Sequence, residues 1–298
     1  MKKVSAINIA DKVLKSVLWV MLIIYCISLL ATLGWVLINS LNETLYMSRF
    51  PLKLPEKLNF ENYAEVLDVF KMIITNKDGV KYEYGLLEML IYSLIYSTGT
   101  AFVTVALHTM MAYVMAKYKF KGREFLYALG IFVMVTPIIG NTASMVQVRE
   151  FFGIRDNMFL LIITSNSCAF AGLNFLLIYA ACKRIPWDYA ESAFVDGAGH
   201  IHVFYRIMLP MVIPSCAVVF VLQFLSVWND YETFLVWLRF YPSLSLGLVN
   251  FRYQAEIKGI GTPIVMAAFV VAMIPTIALY LSSQKLILDK FQVGGLKG

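Results

Sequence analysis

Long stretches without a charged residue alternate with short polar segments along this chain. Six such uncharged windows occur, and their bounding residues are Lys15 and Asn42, Glu88 and Lys117, Glu124 and Arg149, Asp156 and Lys183, Arg206 and Asp230, and Lys258 and Lys285. Each window exceeds the roughly 20 residues that a helix needs to cross about 30 Å of hydrocarbon. Because lipid offers no partner to a free backbone N–H or C=O, the backbone there must be helical. The pattern predicts an all-α polytopic membrane protein with six transmembrane helices.

Composition agrees with a membrane protein. Hydrophobic residues make up 60% of the 298 residues and charged residues only 15%, more apolar than a soluble core requires. The four cysteines lie in or beside the uncharged windows and form no CxxC pair, so we expect neither a disulfide framework nor a zinc ribbon. His200 and His202 are two residues apart and would point to different faces of a helix, so we do not expect a metal site there.

Flanking Lys and Arg residues predict the orientation. Fourteen bases and six acids fall on the side that holds both termini, whereas eleven bases and thirteen acids fall on the other side. The positive-inside rule therefore places both termini in the cytoplasm. Residues 1–16 are predicted to be a cytoplasmic segment without a cleaved signal peptide. This segment is either a basic amphipathic helix on the membrane surface or disordered.

Residues 41–85 form the longest stretch between the uncharged windows, and the charge count places them outside the cell. They are too few for a solute-binding domain. The part LPEKLNFENYAEVLDVFKMI predicts an amphipathic helix capped by Asn59. Its apolar stripe would consist of Tyr63, Val66, Leu67 and Phe70. Asn76–Gly79 predict a turn. The helix either covers the outer mouth of a pore or serves as a structural lid without ligand contact.

The polar segment 185–209 between the fourth and fifth windows combines helix signals with helix breakers. Pro186 suits a first helical turn, and Asp188 and Glu191 suit the positive end of a helix. Gly197 and Gly199 predict its end, and a second short helix is predicted from His200 to Leu209 before Pro210 and Pro214. Both pieces are shorter than the about 12–15 residues at which an isolated helix becomes marginally stable in water. Something must therefore pack against them.

Glu191–Pro210 resemble the cytoplasmic "EAA" segment of ATP-binding-cassette (ABC) importer permeases. The matching positions are Glu191, Ala193, Asp196, Gly197, Ala198, Phe204, Ile207, Leu209, Pro210 and Pro214, whereas Ser192 stands where the pattern usually has Ala. Similar agreement is found at Asn62-Tyr63, at Ala112-Tyr113 with the basic residues up to Arg123, and in the C-terminal DKFQVGGLKG. On this resemblance, 17–298 would be the ABC transporter transmembrane domain and 185–209 a cytoplasmic coupling helix segment between helices 4 and 5.

The resemblance implies that the coupling helix sits in a cleft on an ATPase, with Glu191 meeting a basic residue and Asp196-Gly197 fixing the bend. The candidate coupling residues are Tyr189, Ala190, Glu191, Ser192, Ala193, Phe194, Asp196, Gly197 and Ala198. Ala190, Ser192 and Ala193 would keep the helix slim enough for a partner's groove to close around it. Tyr189 and Phe194 would be its large apolar anchors.

The resemblance also implies an assembly in the bacterial cell membrane. We expect a second and different permease subunit, two cytoplasmic ABC ATPase subunits, an extracytoplasmic sugar-binding protein and surrounding lipid, and no nucleic acid. The sequence has no GxxxxGK[ST] phosphate loop, so ATP and Mg²⁺ should bind to the partner ATPases and no cofactor to this chain. The chain itself would not be an enzyme.

Trp228-Asn229-Asp230-Tyr231 resembles a signature of the MalG-like permeases of carbohydrate importers. Amides and aromatic faces suit hydroxylated solutes, and the candidate residues of a substrate path are Asn166, Asn174, Gln223, Trp228, Asn229 and Asp230. Two alternatives remain open for the amides, since hydrogen bonding between helices would explain them equally. His108, inside a window, is either functional or a neutral histidine bonded to a neighbouring helix.

Three other functions compete with an importer permease. A secondary transporter usually needs an intramembrane titratable group, and the six uncharged windows hold no Asp, Glu, Lys or Arg. A channel would leave the central segment without a purpose. A membrane enzyme is disfavoured because the sequence has neither an HExxH nor a GxSxG motif.

Overall fold

The computed structural model describes residues 2–51, 53–76, 78–136, 140, 142–165 and 169–292. The described part is almost entirely helical. Its helices are α1 (Lys2–Ser40), α2 (Thr44–Arg49), α3 (Glu61–Val69), α4 (Leu86–Lys117), α5 (Arg123–Val135), α6 (Thr142–Phe151), α7 (Met158–Thr164), α8 (Leu173–Arg184), α9 (Asp188–Val195), α10 (His200–Val203), α11 (Leu209–Trp228), α12 (Glu232–Trp237), α13 (Leu244–Lys258) and α14 (Thr262–Gln292). Two short strands, β1 (Lys71–Thr75) and β2 (Lys81–Gly85), form an antiparallel hairpin.

Four helices in the described residues are long and apolar enough to cross a membrane. They are Asp11–Ser40, Leu86–Lys117, His200–Trp228 and Thr262–Gln284. They coincide with the first, second, fifth and sixth uncharged windows, so the sequence prediction is confirmed for these four as single helices.

The third and fourth windows each contain two shorter helices instead of one. The third is divided between α5 and α6, and the fourth between α7 and α8. α5 has 13 residues and therefore extends about 20 Å, less than the hydrocarbon thickness. Interrupted helices are tolerated at membrane depth only where the freed backbone is buried in protein or lines a water-filled cavity.

The chain divides into two compact units. The first consists of residues 1–70 and 251–271, and the second of residues 71–250 and 272–298. In the first unit, the apolar window of α1 has none of its residues buried within the chain. Lipid or another subunit must therefore cover this surface.

The predicted external helix forms in the first unit, but it is shorter than predicted and differs in its buried face. α3 ends at Val69, and the residues from Lys71 onwards form β1, which was not predicted from the sequence. Val66 and Phe70 are buried as expected, whereas Leu67 is exposed. Asn62 is buried in its place, and its amide donates to the carbonyls of Ser40 and Asn42. The helix thus turns a polar side chain towards two backbone acceptors, which a hydrophobic pattern does not predict.

The hairpin turn lies where a turn is predicted. The Asn76 N–H donates to the Val80 carbonyl at 2.8 Å, and Gly79 has φ +80°. Only glycine adopts this left-handed backbone at no steric cost. Lys77 of the predicted turn lies outside the described residues.

The core of the second unit is built on α4, which packs against α8 and α11. Buried small side chains recur along one face of α4, and these are Ser93, Ser97, Thr100, Ala101, Thr104 and Ala112. Small side chains allow helix backbones to approach closely, which is the usual basis of helix association in lipid. At the cytoplasmic end predicted for α4, this packing continues into α9 and α10.

Candidate functional site

A short helix lies at the position predicted for the coupling segment. α9 begins at Asp188 and ends at Val195, with two carboxylates, Asp188 and Glu191, in its first turn. Acidic groups there stabilise the helix by interacting with the positive end of its dipole. The Glu191 N–H donates to the Trp187 carbonyl, and the Ser192 hydroxyl donates to the Asp188 carbonyl. Both Glu191 and Ser192 are exposed.

The bend at Asp196-Gly197 is a Schellman motif. The Ala198 N–H donates to the Ala193 carbonyl at 2.9 Å, and the Gly197 N–H donates to the Phe194 carbonyl at 3.0 Å. This pair of hydrogen bonds defines the motif, which requires a left-handed residue after the helix. Gly197 has φ +83°. The predicted helix end is confirmed, and its geometry explains the glycine.

The inner face of α9 packs against the chain's own core, and three of the candidate coupling residues lie on this face. Ala190 is completely buried, and Ala193 and Phe194 are partly buried against the cluster that includes Tyr113 and Val203. Ala190 and Ala193 thus allow α9 to lie close to its own domain. Phe194 is likewise an internal anchor.

Six aromatic rings join α9 to the end of α4 and to α10. They belong to Tyr113, Tyr118, Trp187, Phe194, His200 and Phe204, and neighbouring centroids lie 4.8–5.9 Å apart. We call these residues the aromatic cluster. The Tyr118 hydroxyl lies 2.9 Å from His200 Nδ1, and Lys117 Nζ donates to the Ile185 carbonyl. The Tyr113–Tyr118 and Tyr118–Trp187 pairs are edge-to-face, an arrangement that contributes about 0.5–1.5 kcal/mol per pair beyond the buried area. The tilted pairs connect these rings with Phe194 of α9 and His200 of α10.

The outer face of α9 and α10 exposes large apolar side chains beside Glu191. Val195 is 87% exposed, Ile201 76% and Tyr189 51%. The sequence pattern indicated Tyr189 but not Val195 or Ile201. For Val195 a signal was available, because it lies five residues after Ala190 and therefore on the other side of the helix. We call Tyr189, Glu191, Val195, Asp196 and Ile201 the coupling face.

The second predicted helix is not a separate element. α10 continues through a π-helical turn (Phe204–Met208) into α11, so His200–Trp228 is one 29-residue helix without a break at Pro210. In the π-helical turn the Leu209 N–H donates to the Phe204 carbonyl, five residues back. Proline cannot donate and crowds the preceding turn. The wider turn directly before Pro210 therefore accommodates the proline without ending the helix, and α10 continues into α11.

Two of the amides predicted for a substrate path, Asn174 and Gln223, are engaged with each other. Asn174 Nδ2 of α8 donates to Gln223 Oε1 of α11 at 2.7 Å. The structure thus shows the interhelical hydrogen bond that was one of the two alternatives. Asn166 lies outside the described residues. His108 is buried with its ring 6.4 Å from that of Phe175, and no group of three metal-binding side chains occurs in the described part of the chain.

Trp228, Asn229 and Asp230 form the corner between α11 and α12. Trp228 is 5% exposed and stacks on Phe224 with centroids 5.5 Å apart. The Asn229 amide donates to the Leu225 carbonyl, and the Asp230 carboxylate accepts from both the N–H and the hydroxyl of Thr233. Trp228 and Asn229 therefore hold the end of α11, and Asp230 caps α12.

A polar cavity of about 320 Å³ adjoins this corner and was not predicted. Arg149 of α6 and Asp230 both line it, as do Glu232 and Trp237 of α12. The Arg149 guanidinium lies 4.4 Å from the centroid of the Trp237 ring. The contact between Arg149 and Trp237 could not be predicted from the sequence, because only the fold brings α6 and α12 together.

The sequence profile of a family described as "Binding-protein-dependent transport system inner membrane component" matches residues 108–292. This range contains α9, all six residues of the aromatic cluster and the corner at Asp230.

Among characterised proteins, the diacetylchitobiose uptake system permease protein NgcG of Streptomyces coelicolor is 25% identical over 292 residues, covering 96% of this chain and 90% of its own. The arabinooligosaccharides transport system permease protein AraQ of Bacillus subtilis is 25% identical over 268 residues, with 88% of each chain covered. A chain in the crystal structure of a bacterial ABC transporter involved in the import of the acidic polysaccharide alginate is similar in fold. Its TM-score is 0.73 at 20% identity, with 93% of this chain and 97% of that chain covered.

Proposed function

Because this chain belongs to the family of binding-protein-dependent transport system inner membrane components, we propose that it is a permease subunit of an ATP-driven carbohydrate importer. It forms half of the transmembrane pathway and pairs with a second, different permease. Two cytoplasmic ABC ATPases bind and hydrolyse ATP with Mg²⁺, and an extracytoplasmic sugar-binding protein delivers the solute.

The carbohydrate assignment rests on the relatives and on the chemistry of the spans. Relatives that match most of this chain are named for diacetylchitobiose, arabinooligosaccharides, galactooligosaccharides and trehalose. The six uncharged windows carry amides and aromatic rings but no charge, which suits hydroxylated, uncharged solutes better than ions.

The ATPase contact rests on one observation, the two-sided character of α9. Its inner face is held by the core and the aromatic cluster, whereas the coupling face exposes Val195, Tyr189 and Glu191. Exposed apolar side chains beside carboxylates are typical of a docking surface. We place the ATPase on this face, with Glu191 paired to one of its Lys or Arg residues.

The same contacts provide a route for mechanical coupling. Closure of the two ATPases on ATP draws the docked α9 helices of the two permeases together. The aromatic cluster transmits the movement to α4, and the continuous α10–α11 helix transmits it to the corner at Asp230. The pathway then changes between inward and outward access, with the energy supplied by the partner subunits.

For topology we propose six transmembrane segments with both termini in the cytoplasm. α1, α4, the α10–α11 helix and α14 cross as single helices, and the pairs α5–α6 and α7–α8 occupy the other two crossings. The asymmetric distribution of Lys and Arg supports this orientation. It places the coupling face inside the cell, where an ATPase can reach it.

The test is to purify the complex with its neighbouring gene products and measure ATP-driven uptake in proteoliposomes. The substrates are diacetylchitobiose, an arabinooligosaccharide, a galactooligosaccharide and trehalose, with an amino acid and a phosphate ester for comparison. We expect uptake of at least one saccharide, dependent on ATP and on the binding protein. Uptake of only the amino acid or the phosphate ester would show that the carbohydrate assignment is wrong. ATP hydrolysis by the isolated chain would contradict the assignment of ATP hydrolysis to the partner subunits.

A further inference from the structure

The polar cavity at the α11–α12 corner is lined by charged side chains that belong neither to the coupling face nor to the packing between helices. Its volume of about 320 Å³ lies at the lower end of the range for small-molecule sites, which is about 300–1,000 Å³. Its walls come from different parts of the second unit, namely Tyr96 of α4, Thr142 and Arg149 of α6, and Asp230, Glu232 and Trp237 around α12.

The charges in this polar cavity are not neutralised by one another. Within the described part of the chain, neither Arg149 nor Asp230 nor Glu232 takes part in an ion pair. By contrast, the next two charged residues along the chain, Glu150 and Arg155, pair at 3.3 Å outside the cavity. A guanidinium and two carboxylates that face one cavity without pairing are available to a ligand.

Two of these groups are held in place before any ligand binds. The Thr233 N–H and hydroxyl both donate to the Asp230 carboxylate, which leaves lone pairs on its oxygens unused. The Trp237 ring holds the Arg149 guanidinium over its face, a cation–π contact that restricts a long side chain without consuming its N–H donors. Preorganised groups cost less ordering entropy on binding.

The combination matches the hydroxyl groups of a sugar. Each hydroxyl both donates and accepts, so it can donate to Asp230 or Glu232 while it accepts from Arg149. Thr142 and Tyr96 add neutral hydroxyls to the same wall. Two carboxylates against one guanidinium leave the cavity with a net negative charge, which would repel a uronate.

We propose that this polar cavity binds one uncharged sugar residue of the transported saccharide at the end of α11, and that its excess of carboxylates disfavours acidic saccharides. The proposal rests on the proposed function and adds the solute contacts of this subunit. Arg149, Asp230 and Glu232 are its hydrogen-bonding groups.

The test compares three variants of the purified complex. Arg149→Gln removes the charged donor, and Glu232→Gln removes one carboxylate that is exposed and makes no hydrogen bond or ion pair within the described residues. Glu150→Gln is the matched control, because Glu150 lies on the same helix as Arg149 but faces Arg155 instead of the cavity. Assembly with the ATPase is checked by copurification for each.

Saturation-transfer NMR without the binding protein measures weak binding to the permease itself. The probes are the neutral saccharide that the parent complex transports fastest and an alginate disaccharide. We expect Arg149→Gln to weaken binding and uptake of the neutral saccharide about tenfold. We expect Glu232→Gln to raise binding of the alginate disaccharide relative to the neutral saccharide by a similar factor.

The outcomes separate this proposal from the proposed function. If the parent transports a saccharide while both variants bind and transport like Glu150→Gln, the cavity is not a sugar site and only this inference fails. If Arg149→Gln loses activity together with assembly and Glu232→Gln leaves selectivity unchanged, Arg149 is structural and the inference again fails. A parent complex that takes up no saccharide overturns the proposed function and this inference with it.

Discussion

Gly197 shows how one residue determines the geometry of the coupling segment. Its φ of +83° allows the two hydrogen bonds that end α9. Glu191 is exposed on the coupling face of the same helix. The two residues therefore have separate roles that separate experiments can test. We propose that Glu191 contacts the ATPase, whereas Gly197 determines the position of α9 relative to α10.

Gly197→Val should weaken coupling through backbone strain alone. A Cβ added at Gly197 meets nothing within 4 Å, but a left-handed conformation costs a non-glycine residue roughly 1–2 kcal/mol. Gly199→Val is the matched control, since Gly199 has φ −77° and is equally open. We expect only the Gly197 variant to copurify with less ATPase and to transport more slowly. Equal behaviour of the two variants would show that the bend is not needed.

Glu191→Ala should lower the affinity for the ATPase by about 1.5–3 kcal/mol, because it removes a charge-assisted hydrogen bond. Ser192→Ala is its control, since Ser192 is also exposed on α9 and bonds only within the helix. The measurements are ATPase copurification and solute-stimulated ATP hydrolysis. A Glu191→Lys variant should be partly rescued by the reverse charge in the partner. Normal activity of Glu191→Ala would exclude a coupling role for this carboxylate.

At the scale of elements, the third and fourth uncharged windows differ from the others because each is divided into two helices. In the third window, α5 packs closely against Phe170 at Gly130. A Cβ added there would lie 2.3 Å from the backbone carbonyl oxygen of Phe170. The segment before α8 thus approaches the α5 backbone at a distance that only glycine permits.

Gly130→Ala should destabilise the second unit by about 1–3 kcal/mol, since a backbone atom must shift to admit the methyl group. Gly34→Ala in α1 provides the control, because nothing lies within 4 Å of its added Cβ. Thermal unfolding in detergent, followed by size-exclusion chromatography, should show a lower midpoint only for Gly130→Ala. An unchanged midpoint would mean that α5 can move away from Phe170 at little cost.

At the scale of the whole molecule, much of the apolar surface is turned outwards. None of the apolar window of α1 is buried within the chain, and only about a third of that of α4 is. The hydrophobic effect cannot stabilise such helices in water. Lipid, together with the second permease that we propose, would make this exposure favourable.

The proposed topology predicts opposite accessibility for Lys57 and His202, which are both exposed. In a background without the four native cysteines, Lys57→Cys should react with a membrane-impermeant thiol reagent added to intact cells. His202→Cys should react only after permeabilisation, because α10 would face the cytoplasm. Labelling of His202→Cys alone in intact cells would reverse the orientation.

The sequence by itself determined the membrane class, four candidate spans as single helices, and a short helix after Pro186 that ends at Gly197. These features depend on local chemistry, namely uninterrupted hydrophobicity, helix-end carboxylates and the backbone freedom of glycine. Each of these signals depends only on residues within a few helical turns of one another. They can therefore be recognised without knowledge of the neighbours.

Only the tertiary structure decided which face of each element is buried. Hydrophobic side chains in a membrane protein can face lipid, a partner or the core, so Phe194 and Ala190 could not be assigned inwards from their chemistry, nor Val195 outwards. The structure also showed that the helix continues through Pro210, because a wider turn precedes the proline. The Asn174–Gln223 hydrogen bond and the contact of Arg149 with Trp237 each join segments that are distant in sequence. Those contacts arise from packing, which a single sequence does not record.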